Sequence, residues 1–162
     1  MKIVELQKPK GVWCAHRSGE KGCAIHGSHP PSCQMFACEW LRHPSMPRKF
    51  RPDQSKVVLT HDPEGMRLIA HCDLNNPLAW RREPIYSLLK DQAARTWASH
   101  FAVIAKAGIR LWLVTPKSDI DLGEIDDYMP YQVFKSADYT AYVKLVESVA
   151  AEADAGDQPV LA

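Results

Sequence analysis

The sequence predicts an α+β domain: a mainly antiparallel sheet of about five or six strands, two helices, and a loop-rich segment near the amino terminus. Three observations lead there. Two pairs of β-rich stretches each flank a short turn, and runs near helical spacing stand apart from them. The first forty residues are instead rich in glycine, proline, cysteine and histidine. At 162 residues, 46% hydrophobic and 24% charged, the chain supports one core and is too short for two ordinary domains.

Taken in order, residues 1–13 place Ile3, Val4, Leu6, Val12 and Trp13 in a short strand or extended lead. Residues 14–32 read as loop, because Gly19, Gly22, Gly27, Pro30 and Pro31 leave little room for regular structure. Ser32 then caps a short helix, with Pro31 just outside it and Phe36, Trp40 and Leu41 on its apolar side. Pro44 and Pro47 end it.

Residues 56–60 (KVVLT) and 66–72 (MRLIAHC) form an antiparallel hairpin around the turn HDPEG. Pro84 opens a helix to about Arg95, with Ile85, Leu88, Leu89 and Ala93 near helical spacing. A second hairpin pairs 100–104 with 109–115 across Ala107-Gly108. Residues 117–128 read as an acidic loop, and 131–134 as one more strand. Asp138 caps a last helix through about Glu152, and residues 153–162 fray. The domain therefore spans 1–152, with a cysteine segment at about 11–43 and an α+β body at about 56–152.

Charge is unevenly distributed along this chain of net charge +1. Residues 1–56 carry ten Lys or Arg against four acids, a balance of +6; residues 57–162 carry ten against fifteen, a balance of −5. Arg42, Arg48, Lys49 and Arg51 form a basic rim just beyond the cysteines, a contact surface for a protein or anionic partner. No aromatic-basic alternation supports nucleic acid there. The start MKIVELQKPKGVW has no apolar signal-peptide core, and no apolar run approaches the ~20 residues of a membrane span. A cytoplasmic protein with reduced thiols is the expectation.

Four of the five cysteines, Cys14, Cys23, Cys33 and Cys38, fall within 25 residues. In a small domain with reduced thiols, that density predicts one tetrahedral metal site, not a disulfide framework. The spacing C-x8-C-x9-C-x4-C differs from paired C-x2-C knuckles and demands three separate loop approaches. Cys33 and Cys38 lie about 140° apart on a regular helix, so one must sit at a helix edge or outside it.

Four thiolates suit zinc or an iron–sulfur cluster equally in ligand number, with zinc favoured here. They would lower the charge of the first half to about +4. His16, two residues from Cys14, or His26, three from Cys23, could replace a thiolate or support one. A site closed by four cysteines is structural. A displaced cysteine would open a position for water, with Glu20 or Glu39 as base. Cys72, inside a predicted strand, reads as an inert thiol, and Asp119 to Asp127 as a solvated acidic loop without EF-hand spacing. No G-x-S-x-G, P-loop or G-x-G-x-x-G motif occurs.

The run Gly22-Cys23-Ala24-Ile25-His26, then His29-Pro30, Cys33, Phe36, Cys38 and Trp40-Leu41, resembles the YkgJ-type cysteine-cluster family. These are small bacterial proteins described as carrying a zinc- or iron-chelating domain. The likeness covers about residues 11–43; His26 stands where the family usually has an aromatic, and His29 where it has arginine. Arg51-Pro52-Asp53 and the run from Trp80 to Ser87 resemble a shorter-cluster subgroup. Fuller members carry adjacent cysteines before this run, whereas this chain has only Cys14, which points to one mononuclear site. The resemblance brings no settled reaction; an iron–sulfur redox role is the alternative it implies.

Overall fold

The computed structural model describes residues 2–9, 12–18, 22–126 and 130–145. The chain is α+β, and its sheet order follows from which stretches bury one face and which bury two. The amino-terminal part holds a two-residue hairpin, β1 (Arg17–Ser18) with β2 (Gly22–Cys23), then two single-turn helices, α1 (Pro31–Gln34) and α2 (Glu39–Arg42). A further turn of helix, α3 (Pro52–Ser55), leads into the body.

The body is built on a five-stranded sheet: β3 (Val57–Asp62), β4 (Arg67–Cys72), β5 (Ala102–Ala107), β6 (Arg110–Leu113) and β7 (Ile120–Glu124), in that spatial order. Helix α4 (Ile85–Thr96) connects β4 to β5. A separate hairpin, β8 (Tyr131–Lys135) with β9 (Ala141–Leu145), completes the described chain.

Alternation along the strands sorts the core into two clusters. Val57, Leu59, Ala70, Val103, Ala105 and Trp112 face one way, toward Ile85, Leu89 and Ala93 of α4 and the fully buried Trp80. Ala102, Ile104, Leu111 and Leu113 face the other way, toward Tyr131, Val133, Ala141 and Val143 of the β8–β9 hairpin. The sheet is therefore covered on both faces around β5 and β6. This explains why those strands are nearly continuous apolar runs while β3 alternates.

Several expectations needed correction. The five-stranded sheet is mainly antiparallel as expected, with three antiparallel pairs, but it is not wholly so, because β4 and β5 run parallel. A twelve-residue helix between β4 and β5 carries the chain back to the starting end of the sheet, which permits the parallel pairing. Four α-helices occur among the described residues where two were expected.

The single helix expected after Ser32 is two, interrupted at Met35–Ala37, and Pro31 is inside the first one rather than outside it. Phe36 and Leu41 do not form a buried side: they are 37% and 60% exposed. The expected acidic loop contains β7, in which Ile120 and Leu122 turn inward and Asp121 pairs outward with Arg110 at 2.6 Å.

The expected last helix is also absent over its first part. Ser136 to Thr140 form the turn of the β8–β9 hairpin, with Asp138 accepting from the Thr140 backbone N–H at 3.2 Å, and Ala141–Leu145 is a strand. The remainder of that expected helix, residues 146–152, and the tail 153–162 lie outside the described residues. At the other end, the first residues do not make a strand. Ile3 and Lys8 exchange backbone hydrogen bonds at 3.0 and 2.9 Å around a tight turn in which Gln7 has φ 48°.

Candidate metal centre

Three chain segments converge on Cys33. The first is the β1–β2 hairpin, which holds Cys14 and Cys23 together. The Cys14 carbonyl accepts the Arg17 N–H at 3.0 Å, Arg17 stands opposite Cys23 in the ladder, and the His16 carbonyl accepts the Ala24 N–H at 2.8 Å. Cys14 therefore leads into one strand and Cys23 ends the other.

The second segment is α1 itself, which begins at paired prolines and carries Cys33 in its single turn. Pro30 accepts the Cys33 N–H at 2.9 Å. No residue of its own caps this helix. The third segment supplies that service: Glu5 Oε1 accepts from the Ser32 N–H at 3.1 Å and from the Ser32 hydroxyl at 2.8 Å. Its own backbone N–H, then the Ser32 hydroxyl and N–H, hold the Glu5 carboxyl below the ordinary carboxylate value. Nothing in the spacing of the cysteines pointed to residues 2–9 as part of this region.

The electrostatics report the same convergence. Burial pushes the Cys33 thiol up, and the next contributions come from Cys14 and then Cys23, with Glu5 adding to them and Lys8 opposing. Ionising one sulfur here raises the cost of ionising the next, which is the setting a divalent cation relieves.

Cys38 is placed differently. It is 4% exposed, at the N-cap of α2, where its carbonyl accepts from Leu41 and Arg42 at 2.9 and 3.1 Å. Breaking the helix between Gln34 and Glu39 removes the 140° conflict and leaves Cys38 buried at the start of α2, a helix that contacts β3. Among the described residues, no three or more His, Cys, Asp or Glu side chains form a group able to hold a metal ion. Cys14 and Cys23 thus act electrostatically on Cys33, while Cys38 is buried at the start of α2.

Three of the histidines near the cysteines make other contacts. His29 accepts the Gly27 N–H on Nδ1 at 3.0 Å, and its ring stacks on His26 with centroids 5.2 Å apart. His43 pairs with Glu39, Nε2 to Oε2 at 3.1 Å. Glu20 lies outside the described residues. Cys72 is half-buried in β4, and burial pushes its thiol up to about 11, in keeping with an inert group.

No family model, curated protein or solved structure matches this chain. Residue geometry therefore carries the functional argument.

The basic rim is partly neutralised. Arg51 donates to Asp53 at 2.6 Å, which raises its own affinity for a proton and holds the Asp53 carboxyl low. Lys49 lies 5.7 Å from the Phe50 ring centroid, while Arg42 and Arg48 are exposed. Among the described residues, no helix is long and apolar enough to cross a membrane.

Proposed function

We propose that this is a metal-binding protein whose zinc ion is held by Cys14, Cys23 and Cys33 and completed by Cys38, and that the metal organises the amino-terminal loops. What supports the reading is the density of four cysteines within 25 residues, with Cys14 and Cys23 held in one hairpin through Arg17 and the helix of Cys33 tied to the amino-terminal turn through Glu5 and Ser32. The resemblance of residues 11–43 to the YkgJ-type cluster proteins, carried in part by the same cysteines, also supports it. Completion of the set requires Met35–Ala37, the break between α1 and α2, to bring Cys38 toward the other sulfurs. Metal binding supplies free energy for such local folding.

A closed set of four thiolates makes the site structural, so the role is interaction or regulation in the cytoplasm. Arg42, Arg48 and Lys49 are exposed cations of the rim available to an acidic partner. Nucleic acid would require an affinity that falls steeply with salt.

The deciding experiment is elemental analysis and a visible spectrum of protein purified without oxygen, for wild type and Cys33→Ser. One colourless zinc per chain, lost in the variant, is the expected result. Iron with thiolate-to-metal absorption would replace zinc by the redox alternative. A metal-free wild type would remove the proposal.

A further inference from the structure

A second feature of the molecule lies beside the cysteine segment. An open cleft of about 690 Å³ lies between α2, the segment after it, β3 and α4, within the size range of small-ligand sites. Its apolar walls come from four separate elements: Phe50, Leu59 of β3, Leu68 of β4 and Leu88 of α4, with Phe101 beside them. The Phe101 ring meets His61 edge-on, with centroids 5.4 Å apart, so the apolar part of the cleft ends in a fixed aromatic pair.

The polar groups of the cleft are not balanced. Three carboxylates line it, Glu39, Glu83 and Asp91, against the two cations Lys49 and Arg95. Glu39 matters most. Its Oε2 is occupied by His43 at 3.1 Å, but its Oε1 is buried without a hydrogen-bond partner. A buried carboxylate oxygen left without a donor is costly, and a ligand that brings a donor into the cleft relieves it. Glu83 accepts the Ser87 hydroxyl at 2.7 Å, and both residues, like Asp91, are exposed, so the outer carboxylates stand at the mouth.

We propose that this cleft binds a small organic cation: an amine or guanidinium carried on an aromatic or branched apolar body. The cationic donor reaches Glu39 Oε1, the body lies against Leu88 and Phe101, and Asp91 with Glu83 attracts the charge at the mouth. Neutral molecules of the same shape offer Glu39 at most an uncharged donor, which makes the weaker hydrogen bond, and anions meet the excess of carboxylates.

The test is a ¹⁵N amide titration of the full chain with phenethylamine, alongside phenethyl alcohol and hydrocinnamate as neutral and anionic counterparts. Saturable shifts confined to Glu39, Phe50 and the Leu88–Asp91 turn are expected from the amine. Binding of both counterparts should be at least about tenfold weaker, a difference that one charge-assisted hydrogen bond supplies.

Glu39→Gln should weaken the amine by about tenfold or more, with the unbound spectrum retained elsewhere. Ser87→Trp, at an exposed lining position, should block binding and leave the fold intact, which decides the matter if Glu39→Gln does not fold. Equal binding of amine and alcohol, shifts away from the cleft, no saturable binding, or an amine affinity untouched by Ser87→Trp would each overturn the proposal.

Discussion

Lys90 of α4 donates to Asp119 across 29 residues of chain, Nζ to Oδ1 at 3.0 Å, and so ties the helix to the segment that leads into β7. The same ammonium donates to the Thr115 carbonyl at 2.7 Å and to the Lys117 carbonyl at 3.1 Å. Asp119 is 7% exposed at its side chain and also accepts the Tyr86 hydroxyl at 3.0 Å. The pair is asymmetric. Lys90→Ala leaves a buried carboxylate with the Tyr86 hydroxyl and the more distant Arg81, 3.9 Å away, and should cost about 3 kcal/mol. Asp119→Ala leaves Lys90 its two carbonyl acceptors and should cost about 1–2 kcal/mol. Urea unfolding of both variants checks the order; equal losses would show that the carboxylate has no special dependence on Lys90.

Cys72 gives the pH dependence of the body. Burial lifts its thiol from an ordinary 9.0 to about 11, against a smaller opposite pull from the Trp80 backbone N–H. Below pH 9 the thiol is neutral in both folded and unfolded chains, and its contribution to stability is fully present. Between pH 9 and 11 the unfolded chain loses this proton first, so stability falls as pH rises through that window. Because Cys72 is only half-buried and solvent screens part of the effect, the loss is of the order of 1–2 kcal/mol. Cys72→Ala should flatten that part of the alkaline slope under reducing conditions, and an unchanged slope would assign it to other groups. In metal-free protein, alkylation at pH 8 should label the exposed Cys23 well before Cys72.

The body of this fold was legible where local and tertiary signals agree. The β3–β4 hairpin and the β5–β6 hairpin each combine β-rich strands with turn residues, and Gly108 takes φ +60° in the second turn. Helix α4 starts after Pro84 and buries Ile85, Leu89 and Ala93 as its spacing requires.

Strand β7 was hidden by its charge. Asp121 and Glu124 read as loop, yet Ile120 and Leu122 alternate inward against Leu113 and its neighbours. Strand β9 was hidden by Asp138, whose carboxylate serves a hairpin turn with Ser136 and Thr140 instead of a helix start. At the candidate centre, spacing pointed to the cysteines but could not show that Glu5 would cap the helix bearing Cys33, since that contact joins residues 27 apart.

Glu5 should therefore affect metal affinity without touching metal. Its two hydrogen bonds to Ser32 fix the start of α1 and so the direction in which Cys33 projects. Groups that orient a ligand in this way are worth about 10–100-fold in affinity. Glu5→Ala should weaken zinc by about tenfold in competition with a calibrated chelator, while Cys33→Ser abolishes stoichiometric binding. An affinity unchanged by Glu5→Ala would mean that the metal itself, and not the amino-terminal turn, positions Cys33.

Trp97 fastens the β8–β9 hairpin to the sheet. Its indole N–H donates to the Ser136 carbonyl at 3.2 Å, its ring stacks on Tyr139 at 5.2 Å, and the Lys135 ammonium lies 5.0 Å from its centroid. Lys135 in turn donates to the Phe101 carbonyl at 2.6 Å, and burial lowers its affinity for a proton. Removing the indole takes away the apolar contact, the stacking and the hydrogen bond together, so Trp97→Ala should cost about 3 kcal/mol. The hairpin covers Ile104, Leu111 and Leu113, and these would become accessible if it detached. Faster amide exchange in β8 and β9, with new binding of a hydrophobic dye, is the expected signature; exchange accelerated uniformly over all strands would instead mean that hairpin and sheet unfold as one unit.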